Sequence, residues 1–85
     1  TSWIKVFPNP FASNFNVAIK PPHSGNATFK LYDASGKLYL IKTVSVQAGD
    51  PQLIQFNNLQ PLQSGIYILK FSDGQSKESL KLLVQ

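Results

Sequence analysis

Few side chains in this sequence are equipped for bond-making chemistry. The acid–base inventory is one histidine, His23, and four carboxylates, Asp33, Asp50, Asp73 and Glu78. A serine–histidine–acid triad needs its members within hydrogen-bond range of one another. His23 stands in Pro21-Pro22-His23-Ser24-Gly25, a turn sequence that predicts a solvated loop histidine. A glycosidase pair needs two carboxyl groups facing one bond. Asp33, Asp50 and Asp73 instead fall in turn sequences, where aspartate bonds nearby backbone amides. Calcium requires several converging oxygens, which acids in separate loops do not supply. A lone histidine cannot build a multi-histidine metal site. The absence of cysteine removes thiolate catalysis, thiolate metal sites and disulfides together. No catalytic, metal or cofactor residue is predicted, and the chain reads as a non-enzyme.

Binding chemistry leaves two readings of the aromatic residues. Trp3, Tyr32 and Tyr39 are of the type that stacks on sugar rings when exposed on a β-sandwich. Equally, large amphipathic rings commonly cover half-buried sheet surface without binding anything. The basic side is eight lysines, at 5, 20, 30, 37, 42, 70, 77 and 81, with no arginine. Nucleic-acid readers depend on arginine for bidentate contacts. The lysines are also scattered along the sequence, with no run that makes a phosphate track. The net charge of +4 therefore reads as solubility with weak attraction to anionic surfaces. Nucleic acid is excluded as a partner.

The elements that must carry these residues follow from length and periodicity. Eighty-five residues allow one core, and the expectation is a single domain over 1–85 with residues 1–3 as linker. Hydrophobic residues are 42% and charged residues only 14%, which opposes charge-driven disorder. No apolar run approaches the roughly 18 residues of a membrane-spanning helix. The chain opens Thr1-Ser2-Trp3 with no signal-peptide pattern, as an excised domain or processed fragment would. Period two dominates: Phe15, Val17, Ile19; Phe29, Leu31; Ile54, Phe56; Tyr67, Leu69, Phe71; Leu80, Leu82, Val84. Leu38, Leu40, Val44 and Val46 share a parity that Lys42 interrupts, the mark of a bulge or an edge position. Strands are predicted near 4–7, 14–20, 26–33, 38–47, 52–57, 65–72 and 77–84. Asp33 with Gly36 suits a type I turn, and Asp73-Gly74 suits a hairpin. Seven short strands bury their apolar faces as an all-β, immunoglobulin-like antiparallel sandwich. Gln63-Ser64-Gly65-Ile66-Tyr67 fits the corner in which a tyrosine hydroxyl bonds upstream backbone.

Four segments occur in an order that carries a family resemblance. They are Val6-Phe7-Pro8-Asn9-Pro10, Leu31-Tyr32-Asp33-Ala34-Ser35-Gly36-Lys37, Leu59…Leu62-Gln63-Ser64-Gly65-Ile66-Tyr67 and Leu80-Lys81-Leu82-Leu83-Val84-Gln85. Together, from Val6 to Gln85, the chain resembles the C-terminal sorting domains of the type IX (Por) secretion system. The resemblance implies a seven-strand immunoglobulin-like fold at the end of a secreted cargo protein. It implies export across the outer membrane of a Gram-negative bacterium by the type IX translocon, after transit through the periplasm. It further implies removal by a sortase-like signal peptidase, with cargo released or held at the cell surface. Many members finish on a basic residue, whereas this chain ends Leu82-Leu83-Val84-Gln85, with Lys77 and Lys81 slightly earlier.

Under that resemblance the sorting-signal candidates are Lys81, Leu82, Leu83, Val84 and Gln85. Alternation puts Leu80, Leu82 and Val84 in the core and turns Lys81, Leu83 and Gln85 outward. Pro8, Asn9, Pro10, Gly36, Gly65 and Tyr67 are family-motif residues with structural work: prolines end an edge strand, glycines serve turns, and Tyr67 fills core and corner. Expected partners are the translocon, the peptidase and an upstream cargo domain, with a homodimer open to the isolated domain through its edge strand. The alternative is a passive immunoglobulin-like spacer or carbohydrate-binding module of a secreted enzyme.

Overall fold

Alternation of apolar and polar residues resolves into antiparallel strands because β-branched and aromatic side chains fit a pleated, half-buried surface. The computed structural model describes residues 3–8, 14–57 and 63–85. Seven strands run through them: β1 (Ile4–Phe7), β2 (Phe15–Ile19), β3 (Gly25–Asp33), β4 (Leu38–Val46), β5 (Gln52–Phe56), β6 (Gly65–Ser72) and β7 (Lys77–Val84). Each lies within a residue of its expected bounds. They form a three-stranded sheet, β1-β2-β5, and a four-stranded sheet, β4-β3-β6-β7, all neighbours antiparallel. The all-β, immunoglobulin-like sandwich expected from periodicity is the fold observed.

The inward parity of both sheets makes one apolar core. Phe15, Val17, Phe29 and Leu69 are fully buried, and Leu31 and Phe71 nearly so. Phe29 on β3 meets Phe56 on β5 edge to face at 5.6 Å, which joins the two layers. Phe56 also stacks on Phe15 at 4.7 Å, and Phe29 contacts Phe71 at 5.3 Å. Such pairs add about 0.5–1.5 kcal/mol each beyond the area they bury. Trp3, for which the sequence leaves open a place on the sandwich or in a linker, packs its ring edge to face on Phe71 at 5.2 Å. Its carbonyl also accepts the Lys20 amide at 2.8 Å, which extends the β1–β2 ladder.

The interruption read at Lys42 divides into two features. The bulge lies elsewhere: Leu31 pairs with Leu40 and Tyr32 with Leu38, so Tyr39 is the extra residue. Lys42 keeps the inward parity of an edge strand, where an inward-pointing charge discourages a further strand from adding. It is half-buried rather than solvated. Its Nζ donates to the Gln55 carbonyl at 2.8 Å and sits 5.1 Å over the Phe56 ring.

Candidate functional site

The terminal strand β7 pairs only with β6 among the described strands, so it forms one edge of the four-stranded sheet. Leu82 and Val84 are buried at 0% and 2% accessibility, while Lys81, Leu83 and Gln85 turn outward. The strand is thus anchored by one parity and presented by the other. Beside it, Ile66 stands directly opposite Leu83, and both are exposed. With Lys81 and Leu82 they line a shallow cleft of about 340 Å³. The five terminal candidates therefore divide, two into the core and three onto the surface.

Of the family-motif residues, the structure describes Pro8, Gly36, Gly65 and Tyr67. Pro8 follows β1, and its peptide bond to Phe7 is cis. Asn9 and Pro10, like Leu59 and Leu62, lie outside the described residues. Gly36 closes the β3–β4 turn at φ 93°, donating its amide to the Asp33 carbonyl at 3.1 Å. Gly65 opens β6 at φ 145°, a conformation that L side chains rarely adopt. Two residues on, the Tyr67 hydroxyl donates to the Gln63 carbonyl at 2.9 Å, completing the expected corner. Burial pushes that hydroxyl's pKa up, and Tyr39 and Asp33 add to the effect.

Two aspartates organise the hairpin turns of the four-stranded sheet. Asp33 Oδ1 accepts the Ser35 hydroxyl at 2.7 Å and the Ser35 and Lys37 amides at 2.9 Å each. The Ser35 hydroxyl, then the Lys37 amide, hold its carboxyl below the ordinary range. Asp73 Oδ1 likewise accepts the Gln75 amide at 2.9 Å and the Ser76 amide. Its side chain, however, is only 3% accessible, and Oδ2 lies 3.3 Å from His23 Nδ1. Burial alone would raise the Asp73 pKa, but the Ser76 and Gln75 amides and His23 together hold it low.

His23 lies in the loop that its Pro-Pro turn suggested, with 37% of its side chain accessible, but it also faces Asp73 across fifty residues of sequence. Its ring also lies within 3.3 Å of the Ser76 hydroxyl, joining the β2–β3 connection to the β6–β7 turn. Histidine, acid and serine meet here, but the acid holds backbone amides and the serine belongs to the same turn. The arrangement braces two loops and presents no open nucleophile. Nothing in the sequence spacing marks a pair fifty residues apart. Among the described residues no group of three or more His, Cys, Asp or Glu side chains could hold a metal ion. No helix among them is long and apolar enough to cross a membrane.

The aromatic residues considered for sugar stacking each have a neighbour on the ring. Trp3 packs on Phe71, as described above. Tyr39 meets Tyr67 at 5.7 Å and lies under the Lys37 ammonium at 5.3 Å. Tyr32 lies under Lys70 at 5.2 Å. The lysines that are scattered in sequence are not all scattered in space. Lys30, Lys70 and Lys77 line one groove on the outer face of the four-stranded sheet. Strand parity forecast their outward direction, but only the register of β3, β6 and β7 brings them together.

Comparison with known proteins agrees with this architecture. No curated protein matches the chain. Among solved structures it is similar to dimeric latent PorU from Porphyromonas gingivalis, with a TM-score of 0.73 at 20% identity. That likeness covers 96% of this chain and only 9% of the PorU chain, and at this identity it speaks for the fold. Residues 5–85 match the family described as the secretion system C-terminal sorting domain. With nearly the whole chain matched, from β1 through the terminal strand, this protein belongs to the C-terminal sorting domains of the type IX secretion system.

Proposed function

We propose that this domain is a non-catalytic export signal that takes a covalently attached cargo from the periplasm across the outer membrane. On this reading the translocon recognises the folded sandwich with its terminal strand. A sortase-like peptidase then separates domain from cargo, which reaches the cell surface or the medium. The observation that carries the reading is the family match running through β7, whose Leu82 and Val84 anchor it while Lys81, Leu83 and Gln85 face solvent. A docking surface on a rigid strand suits this role, because the core fixes the spacing of the side chains a receptor meets.

The test fuses the domain behind a periplasm-targeted reporter in a host with a working type IX system. The intact domain is expected to carry the reporter outside. Lys81→Ser with Leu83→Ser is expected to cut export several-fold while the melting temperature holds, since neither side chain fills the core. Leu82→Ala with Val84→Ala should lose stability first, and export only as a consequence. Reporter retained by the intact domain, in a host that exports a related cargo, would overturn the reading in favour of a spacer or sugar-binding module.

A further inference from the structure

The outer face of the four-stranded sheet carries a second feature, apart from the cleft beside Leu83. Register sets two rows across β3, β6 and β7: Lys30–Lys70–Ser79, and beside it Thr28–Ser72–Lys77. All six side chains can donate hydrogen bonds. They line a groove of about 450 Å³, within the range of small-ligand sites. Glu78 is the one carboxylate on its lining, against three ammonium groups. Glu78 follows the parity of Leu82 and Val84, opposite to that of Lys77 and Ser79.

Lys30 and Lys70 are direct cross-strand partners. Opposed residues have Cβ atoms about 4.5–5.5 Å apart, and like charges there destabilise a sheet. Lys70 leans its ammonium over the Tyr32 ring, a contact that keeps the charge in place without neutralising it. An arrangement that costs stability and gathers three ammonium groups with one carboxylate around a concave space leaves an excess of positive charge that suits an anion. Lysine ammoniums bind phosphate as compact point charges, and the oxygens of one phosphate can meet several ammonium and hydroxyl donors at once.

We infer that the groove between β3, β6 and β7 binds a phosphate group, held by Lys30, Lys70 and Lys77 with Thr28, Ser72 and Ser79 as hydroxyl donors. The groove has room for the phosphate and a carrier of sugar or glycerol size. The inference is independent of the sorting role, because Lys81 and Leu83 line a separate cleft.

Amide chemical shifts of the labelled domain test it, with glycerol 3-phosphate as the free probe. Vesicles of phosphatidylcholine, with and without phosphatidic acid, serve as the lipid probe. Saturable shifts centred on Thr28, Ser72 and Ser79 with the free probe are expected for a soluble ligand. Binding confined to phosphatidic-acid vesicles, with the same residues affected, assigns the phosphate to a lipid headgroup. Lys30→Gln with Lys70→Gln should weaken binding about tenfold or more, while the fold is kept and the melting temperature is unchanged or raised. Lys5→Gln with Lys20→Gln, on the other sheet, should leave binding as it is. Equal weakening by the two pairs, succinate binding as tightly as the phosphate, or no saturation with either probe would each overturn the inference.

Discussion

The two hairpin ends of the four-stranded sheet begin from the same chemistry and finish differently. At the β3–β4 end, half-buried Asp33 directs its Oδ1 to partners within four residues, Ser35 and Lys37, in hydrogen bonds open to water. At the β6–β7 end, Asp73 makes the same amide contacts but is buried, and its second oxygen faces His23 from fifty residues earlier. A carboxylate in a turn satisfies local amides wherever it stands. Burial decides whether it also becomes a tertiary tie, because a desolvated charge needs further partners. The tyrosine corner near the β3–β4 end is local as well, the Tyr67 hydroxyl bonding Gln63 four residues upstream. One end is thus a self-sufficient turn beside a tyrosine corner, and the other is a turn and clamp in one.

Breaking the core beneath both ends should have the largest effect and erase the contrast. Phe29→Ala removes a fully buried ring that touches Phe56 and Phe71, and a loss of about 3–5 kcal/mol is expected from urea unfolding. A loss below about 1 kcal/mol would mean the layers are not joined through Phe29. Asp73→Ala comes next, at about 2–3 kcal/mol, because the Gln75 and Ser76 amides and His23 lose their acceptor together. Asp33→Ala should lower the melting temperature by less than half as much, since water replaces the acceptor. Equal losses would break the comparison.

The corner sharpens it from the other side. Tyr67→Phe keeps the ring and deletes the bond to Gln63, so about 1 kcal/mol is expected. Burial holds the Tyr67 hydroxyl protonated above its ordinary pKa of 10.0. The unfolded chain therefore releases that proton first as pH rises. Stability from this group is complete below about pH 10 and falls as pH climbs toward the folded value. Tyr67→Phe should remove that alkaline fall, read from thermal melts across the range.

How much of this was legible depended on whether the partners were local. Alternation in Phe15–Ile19 and Tyr67–Phe71 wrote the strands, because period two is a property of neighbouring residues. Asp33 and Gly36, three residues apart, spelled their own turn. The tyrosine corner was readable for the same reason, with Gln63 four residues from Tyr67. His23 and Asp73 each looked like ordinary turn residues, and nothing local says that two turns meet. The parity break at Lys42 marks an edge strand, one of its two readings, while the bulge stands at Tyr39, because a parity break shows where polarity changes and not where the backbone gains a residue. For the terminal strand, Leu82, Leu83 and Val84 are alike in chemistry, and only parity separates the anchors from the exposed Leu83. The lysine groove was invisible until register put Lys30 opposite Lys70.

The smallest effect separates the two contributions to the clamp. His23 is about one-third exposed at 37%, so water and salt screen its attraction to Asp73, and His23→Ala should cost only about 0.5 kcal/mol near neutral pH. Acid reveals what holds the carboxylate. In the unfolded chain Asp73 titrates near 3.8, and in the folded chain below that value. As pH falls the unfolded state takes the proton first, so the stabilisation is complete above about pH 5 and is lost as pH drops through the folded value. Burial opposes this lowering, and the Ser76 and Gln75 amides precede His23 among the groups that outweigh it. Removing His23 leaves those two amides in place, so the acid fall should shrink only slightly. Asp73→Asn, which cannot ionise, should abolish the part of the fall that Asp33 does not supply. Urea midpoints measured at about pH 7 and about pH 3 for the three proteins decide it. If His23→Ala flattens the acid fall as fully as Asp73→Asn does, the pairing across fifty residues is the clamp. The retained fall expected here would make the turn amides the anchor, with His23 a brace laid against a carboxylate already fixed.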